Sequence, residues 1–426
     1  MSLIIILICD TCSRKTIFYV PGLGNSPLYA TISNISLFPN CINLSFPLNT
    51  KTKIWPMVKG YEECNAELLD VIYNNSTNSI SSPEGVFIET DSIYHNSSEY
   101  FLQSFNDVYT IPYNWISYYL GSNPLFEQLK ALIEQNFNTT NSKAVVVGYS
   151  LGANFVRYFL TRFSNENWVK KYVDSSIYIA PGFAGEFTSF IFTATSSMEF
   201  VGIKGRYVQH MPSRYAMWPN FPLSKNVLKI NDIQYDASEL FSLLVELNIV
   251  DETGIKIYHM IEDFLTEDVP DPKIHSAIIY NSGLPVQCGI EVINDELTLS
   301  NPINLFKKNK ETSYTKIMCG GDGHLEAKGS EYACNAWGNV DCIDFKSSDN
   351  RFEHGAMGNT PELKKCFEDF ININSNNIFT PLVIGIIIGG AILLIVLVII
   401  STVLILKKRR KKTEKQIIFI DGSLIK

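Results

Sequence analysis

Three residues of this chain have the side chains that acyl transfer through a covalent intermediate uses. Ser150 is the candidate nucleophile, within Gly148-Tyr149-Ser150-Leu151-Gly152. A serine hydroxyl needs a histidine to take its proton and a carboxylate to hold that histidine in the right tautomer. Of six histidines, only His324 and His354 leave room for an acid before them and after the segment rich in Phe, Met and Trp that follows Ser150. Asp322 lies in Gly320-Gly321-Asp322-Gly323-His324, after an expected strand Thr315–Met318, as suits a triad acid at the C-terminal end of a strand; an ordinary Asp-Gly turn is the plain alternative. His354 lies in a short loop, Arg351-Phe352-Glu353-His354-Gly355-Ala356-Met357, ahead of an expected helix over 361–370. His324 is only two residues from Asp322, and a partner that close seldom reaches both the acid and a distant serine. The assignment is therefore Ser150 as nucleophile, Asp322 as orienting acid and His354 as general base.

The glycines flanking Ser150 have a steric cause. A serine at a sharp bend takes a strained backbone, and side chains two residues away on either side would collide with it. The small and β-branched run Ala144-Val145-Val146-Val147 reads as a buried parallel strand, and Phe155, Phe159 and Leu160 follow with helical periodicity. Strand, tight turn and helix with serine at the bend form the nucleophile elbow of an α/β-hydrolase, a fold in which serine, acid and histidine come in this order. A structural serine in a glycine-rich turn is the bland alternative. Thr16–Val20 reads as an early strand running into Pro21-Gly22-Leu23-Gly24-Asn25, the loop expected to supply one oxyanion donor. The backbone N–H groups of Leu23 and Leu151 are the candidate oxyanion hole.

Further strands at 108–115, 172–180 and 274–280, with a helix over 125–137, alternate in the manner of a mostly parallel sheet covered on both faces. From about 186 to 270 the alternation is lost, which predicts an inserted cap. Cys41 and Cys64 bracket a segment with apolar Ile54-Trp55-Pro56-Met57, read as a disulfide-closed lid or membrane-touching loop, or as a plain structural staple.

The 426 residues, 46% hydrophobic and 12% aromatic, suffice for one elaborated α/β domain, expected over 13–378. Residues 381–406 carry no charge, long enough for a transmembrane helix, and six basic residues follow at 407–412. The positive-inside rule then places the tail, 407–426, in the cytoplasm and the domain in the lumen or outside the cell. Residues 1–12 read as a short signal peptide, with a retained hydrophobic strand or a gene model that starts too late as alternatives. Glycosylation acceptors stand at Asn34, Asn43, Asn74, Asn75, Asn96 and Asn138, and all nine cysteines precede the apolar segment, as suits an oxidising compartment. Loss of Cys9 and Cys12 with a signal would leave seven, one of them unpaired. The tail carries eight basic residues against two acidic, so within an overall −8 the remainder is near −14. A basic tail suits anionic lipid headgroups, whereas the acidic domain argues against nucleic-acid binding. Gly385 and Gly389 have the spacing of a helix-dimer face, a weak pointer to a homodimer.

Taken in order, several segments resemble the lecithin:cholesterol acyltransferase family, which includes lysosomal phospholipase A-type enzymes and phospholipid:diacylglycerol acyltransferases. Val20-Pro21-Gly22-Leu23-Gly24-Asn25 resembles its first strand and oxyanion loop, one residue shorter. Ile111-Pro112-Tyr113-Asn114-Trp115 resembles a Pro-Tyr-Asp-Trp motif with Asn for Asp. Ala180-Pro181-Gly182-Phe183-Ala184-Gly185 resembles Ala-Pro-Trp-Gly-Gly, and Tyr280-Asn281-Ser282-Gly283-Leu284-Pro285 resembles Tyr-Gly-Thr-Gly-Val-Pro. Gly321-Asp322-Gly323-His324-Leu325 stands where the family more often has Gly-Asp-Gly-Thr-Val, so His324 replaces a threonine. Cys41 and Cys64 resemble the family's lid disulfide, and Cys334 falls where a second bridge would be anchored.

The resemblance implies attack of Ser150 on a glycerophospholipid ester at a membrane surface. The acyl group would then pass to a sterol, another alcohol or water, with no metal or organic cofactor. Two alternatives stay open: a lumenal phospholipase or lipase without useful acyl transfer, and a catalytically silent membrane receptor that keeps the scaffold.

Overall fold

The computed structural model describes residues 15–42, 44, 46–57, 59–198, 202–293, 313–372 and 407. They belong to two units, Ser13–Cys366 and a second made of Met1–Cys12 with Phe367–Lys426. In the second, the described residues 367–372 and 407 are helical. The expected signal peptide, the transmembrane helix with its Gly385 and Gly389, nearly all of the tail, and Asn43 lie outside the described residues. Among the described residues no helix is long and apolar enough to cross a membrane.

The larger unit opens with β1 (Ile17–Val20), buried throughout as an unbroken apolar run requires. There follow β2 (Leu28–Ile32), β3 (Thr52–Trp55), α1 (Glu62–Leu68), β4 (Val86–Thr90), β5 (Tyr94–His95) and β6 (Val108–Thr110). Helix α2 (Asn123–Thr140) leads into β7 (Ala144–Tyr149), α3 (Leu151–Tyr158), α4 (Glu166–Tyr172) and β8 (Val173–Ile179). The predicted cap region contributes helices α5 (Phe187–Thr195), α6 (Arg206–Gln209) and α7 (Pro212–Ala216), the hairpin β9 (Leu228–Ile230) and β10 (Ile233–Tyr235), and helices α8 (Leu240–Glu246) and α9 (Glu252–Thr266). The unit continues with β11 (His275–Tyr280), β12 (Leu284–Ile293), β13 (Ser313–Gly321), α10 (Lys328–Ala336) and β14 (Val340–Asp344).

A seven-stranded sheet organises the unit, in the order β14-β11-β8-β7-β1-β6-β5. All neighbours pair in parallel except the edge strand β5, which runs antiparallel to β6. Parallel strands need crossovers, and helices supply several of them, so the central strands are covered on both faces and read as continuous apolar runs. In the register of β1 with β7, Val20 pairs with Gly148, which sets the loop after β1 beside the turn after β7. With the serine at that turn, this is the α/β-hydrolase fold.

The expected strand ahead of Asp322 is present, and it lies outside the parallel sheet: β13 runs antiparallel to β12 in a separate four-stranded sheet, β10-β9-β12-β13. The hairpin leaves just after β11, and its base pairs Leu284 with Gly321, so Asp322 returns to the C-terminal end of β11 after a long excursion. Asp322, the candidate acid, thus returns to that strand end by a detour that the disulfide Cys288–Cys319 clasps. The Cys41–Cys64 segment is tied into the fold. Its disulfide is formed, but its apolar residues do not make a free tip: Ile54 is buried, and β3 pairs with β2 in a three-stranded sheet with β4. Trp55 donates from Nε1 to the carbonyl of Gly24 at 2.5 Å and meets Trp115 edge-on at 4.9 Å between ring centroids. A third disulfide gives Cys334 its partner, Cys342.

Candidate active site

Ser150 ends β7 and precedes α3 with φ 57° and ψ −124°, a left-handed backbone that costs a non-glycine residue of order 1–3 kcal/mol. The turn is tight enough to demand both glycines. A Cβ on Gly148 would stand 2.5 Å from Ala153 Cα, and one on Gly152 would stand 2.4 Å from the carbonyl oxygens of Val20 and Pro21. The Ser150 amide donates to the carbonyl of Ile179 in β8 at 2.9 Å, so the neighbouring strand holds the bend.

His354 reaches the serine from the loop that follows β14. Its Nε2 lies 2.8 Å from Ser150 Oγ, and its Nδ1 lies 2.7 Å from Asp322 Oδ2. The other carboxylate oxygen of Asp322 accepts from the amides of His324 at 3.0 Å and Leu325 at 2.6 Å. Burial pushes the Asp322 carboxyl up, but the facing His354 ring and these two amides outweigh it and leave it below the usual range. Asp322 also accepts, through its backbone carbonyl, from the His354 amide at 2.8 Å. The Tyr149 hydroxyl donates to the carbonyl of His354. Both ends of the His354 residue are therefore fixed by groups adjoining the serine and the acid.

The three residues singled out in the sequence come together as one hydrogen-bonded series. His324 does not join it as a base. Its Nε2 is 2.9 Å from Glu186 Oε2, and its ring lies against that of His354, with centroids 5.3 Å apart. Ser189 donates to Glu186 at 2.5 Å, and Arg214 Nη1 lies 3.5 Å from the same carboxylate. Burial raises the Glu186 carboxyl, yet His324 and Arg214 hold it at about 2, and Glu186 in turn lifts His324 to about 9.

Leu23 lines the cleft beside Ser150, and Leu151 opens α3, where the first amides have no partner within the helix. A Cβ on Gly22 would be 3.2 Å from Ser150 Cβ, so this loop packs directly on the elbow. The loop is braced by the aromatic turn after β6: the Tyr113 amide and Trp115 Nε1 both donate to Ser26, at 3.2 Å. Asn114 accepts from the amides of Ile116 and Ser117, as a turn-capping Asp or Asn does.

The cleft over the serine has a volume of about 240 Å³ and is lined by Tyr19, Leu23, Glu99, Ser150, His354 and Asn359 among others. Glu99 was not legible in the sequence, because it follows an Asn-Ser-Ser stretch that reads as surface. Burial raises its carboxyl, opposed by a hydrogen bond from Tyr19. Of the glycosylation acceptors, Asn34, Asn74, Asn75, Asn96 and Asn138 are exposed. Among the described residues, the one grouping with metal-ligand proximity is Cys288, Cys319 and Glu326, and its cysteines are bonded to each other and supply no thiolate.

Residues 48–242 match the family profile "Lecithin:cholesterol acyltransferase", a match that includes Ser150 and stops short of Asp322 and His354. No curated protein sequence matches the chain. Among solved structures, a chain of the Tle4–Tli4 complex is similar at 10% identity and a TM-score of 0.53, over 85% of this chain and 99% of that one. The Bacillus licheniformis lipase BlEst2 overlaps at 9% identity and a TM-score of 0.33, covering 83% and 92%. The Saccharomyces cerevisiae peroxisomal α/β-hydrolase Lpx1 overlaps at 9% and 0.31, covering 85% and 78%. The last two overlaps are too slight to argue from, and the first speaks to the fold alone. With its α/β-hydrolase sheet, the chain carries over residues 48–242 a segment of the lecithin:cholesterol acyltransferase family, which supports a lipid acyl hydrolase or acyltransferase.

Proposed function

We propose that the protein cleaves an ester of a glycerophospholipid through an acyl-enzyme on Ser150, and passes the acyl group to an alcohol, such as a sterol, or to water. The observation that carries this reading is the unbroken hydrogen-bonded series from Ser150 Oγ through both ring nitrogens of His354 to Asp322. With Nδ1–H donating to the carboxylate, Nε2 is the free base that takes the serine proton as Oγ attacks the carbonyl carbon. The negative charge that develops on the carbonyl oxygen is received by the backbone N–H groups of Leu23 and Leu151. His354 then returns the proton to the leaving oxygen, releasing lysophospholipid. An acceptor hydroxyl enters, gives its proton to Nε2 and takes the acyl group in the reverse sequence.

The uncharged stretch 381–406 followed by basic residues supports a single-pass anchor with the catalytic domain lumenal or extracellular. The test is lysolipid release from phosphatidylcholine vesicles, with and without sterol, by the wild type, Ser150→Ala and His354→Ala. Release by the wild type alone supports the reading, and sterol ester formed in the same reaction identifies transfer. A folded wild type that releases nothing from these vesicles overturns it.

A further inference from the structure

His324 is the departure from the family pattern that stands nearest the reacting atoms, and its surroundings give it a charge that a threonine would lack. Glu186, only 2% exposed, begins the cap at the entrance to α5 and directs its carboxylate at His324 Nε2. Ser189 fixes that carboxylate from one side, while Arg214 of α7 stands behind it. His324 is thereby held as an imidazolium at neutral and acidic pH, while 45% of its side chain remains exposed. Its ring is tilted by 32° to that of His354, with the centroids 5.3 Å apart.

Asp322 meets Nδ1, Ser150 meets Nε2, and Tyr149 holds the backbone carbonyl while its ring lies 5.8 Å from the imidazole. Glu99, paired with Tyr19 of β1, lines the same cleft. Among these groups Asp322 and Glu99 are carboxylates, and His324, paired with Glu186, is the cation. A base that must accept a proton from serine is useful only while it is free of one.

We propose that His324, anchored by Glu186 and seated against the ring of His354, is a positioning residue whose positive charge makes the general base take up a proton at a lower pH than it otherwise would. The inference rests on the triad reading above and adds to it a working range extended modestly toward lower pH. Two like charges at about this separation, partly screened by water, correspond to roughly half to one pH unit.

The test replaces His324 with Gln, which can still donate to Glu186 but carries no charge. In the pH profile of kcat/KM on a soluble fluorogenic ester, His324→Gln should move the acid limb upward by roughly half to one pH unit, and His324→Thr should do the same. A limb that stays in place overturns the proposal, whatever happens to the rate at its plateau, because a residue with a merely structural role lowers activity without moving the limb. A second readout does not depend on turnover. In ¹³C-histidine-labelled full-length protein, the NMR titration midpoint of His354, assigned by its loss in His354→Ala, should rise in His324→Gln, and an unchanged midpoint overturns the proposal. Wild-type protein that hydrolyses no ester would count against the function proposed above, and the NMR midpoints would still decide the role of His324.

Discussion

The hydroxyl of Tyr149, the residue before the candidate nucleophile, donates to the backbone carbonyl of His354, 205 positions later in the chain. The candidate nucleophile and candidate base are thus joined twice, once through their side chains and once through this brace. Tyr149 is nearly buried, and burial pushes its phenol well above the ordinary value, so it stays a donor at every physiological pH. Tyr149→Phe removes the brace while leaving the ring. It should cost about 1 kcal/mol of stability and lower kcat by roughly tenfold as the His354 loop loses its register. Denaturant titration and steady-state kinetics measure both, and wild-type kcat in the variant would show that the brace is idle.

Gly152→Ala should fail at the level of the fold. The added methyl would sit 2.4 Å from two backbone carbonyl oxygens at the end of β1, where neither partner is a movable side chain. A cost of about 3 kcal/mol or more follows from such overpacking. A variant with the wild-type unfolding midpoint would contradict the packing of β1 against the elbow described above.

Asp322→Asn keeps the shape of the side chain and inverts what His354 Nδ1 can meet. An amide NH₂ facing Nδ1 favours the tautomer with the proton on Nε2, which cannot accept from serine. On the order of 10⁴ in kcat should be lost. The carboxylate's contribution to stability has a pH signature. Its folded-state value is depressed, so the contribution is present above the unfolded value near 4 and disappears as pH falls through the lower folded one. The stability gap between wild type and Asp322→Asn should accordingly shrink on acidification, and a gap that grows would contradict the assignment of Asp322 as the charged partner.

His210 offers a second, opposite pH signature away from the catalytic groups. Its Nδ1 is 2.7 Å from Asp70, which follows α1, and its Nε2 is 2.9 Å from Asp251, the N-cap of α9. Burial alone would lower its proton affinity, but the two carboxylates outweigh burial and raise it above the ordinary value. A raised value means the stabilisation is complete below about pH 6.5 and fades as pH rises through the folded-state value. His210→Gln should therefore cost about 3 kcal/mol at pH 6 and progressively less at alkaline pH. Unfolding midpoints measured across that range decide it: a cost that increases with pH would be incompatible with a charged His210.

The parts legible in the sequence are those whose causes are local. The elbow is encoded within seventeen residues, because strand composition, turn glycines and helix periodicity adjoin one another around Ser150. Asp322 and His354 could be named from chain order and from the small number of histidines, without knowing how they meet. The sheet to which the strand before Asp322 belongs could not be read, since a strand's alternation is the same whichever sheet it joins. The pairing of Glu186 with His324 was invisible for a related reason: it links the start of the cap to a turn 138 residues later, with no repeat or spacing to announce it. Glu99 reached the cleft unannounced in the same way, as did the docking of Trp55 on Gly24.

The central claim is that Ser150 becomes the acyl-enzyme, and peptide mass spectrometry after reaction with a fluorophosphonate tests it most directly. The account predicts a single stoichiometric adduct on the peptide containing Ser150, formed by the wild type and abolished in Ser150→Ala, with labelling strongly slowed in His354→Ala. Folded wild-type protein that takes no label on Ser150, or that labels equally well without His354, would contradict it.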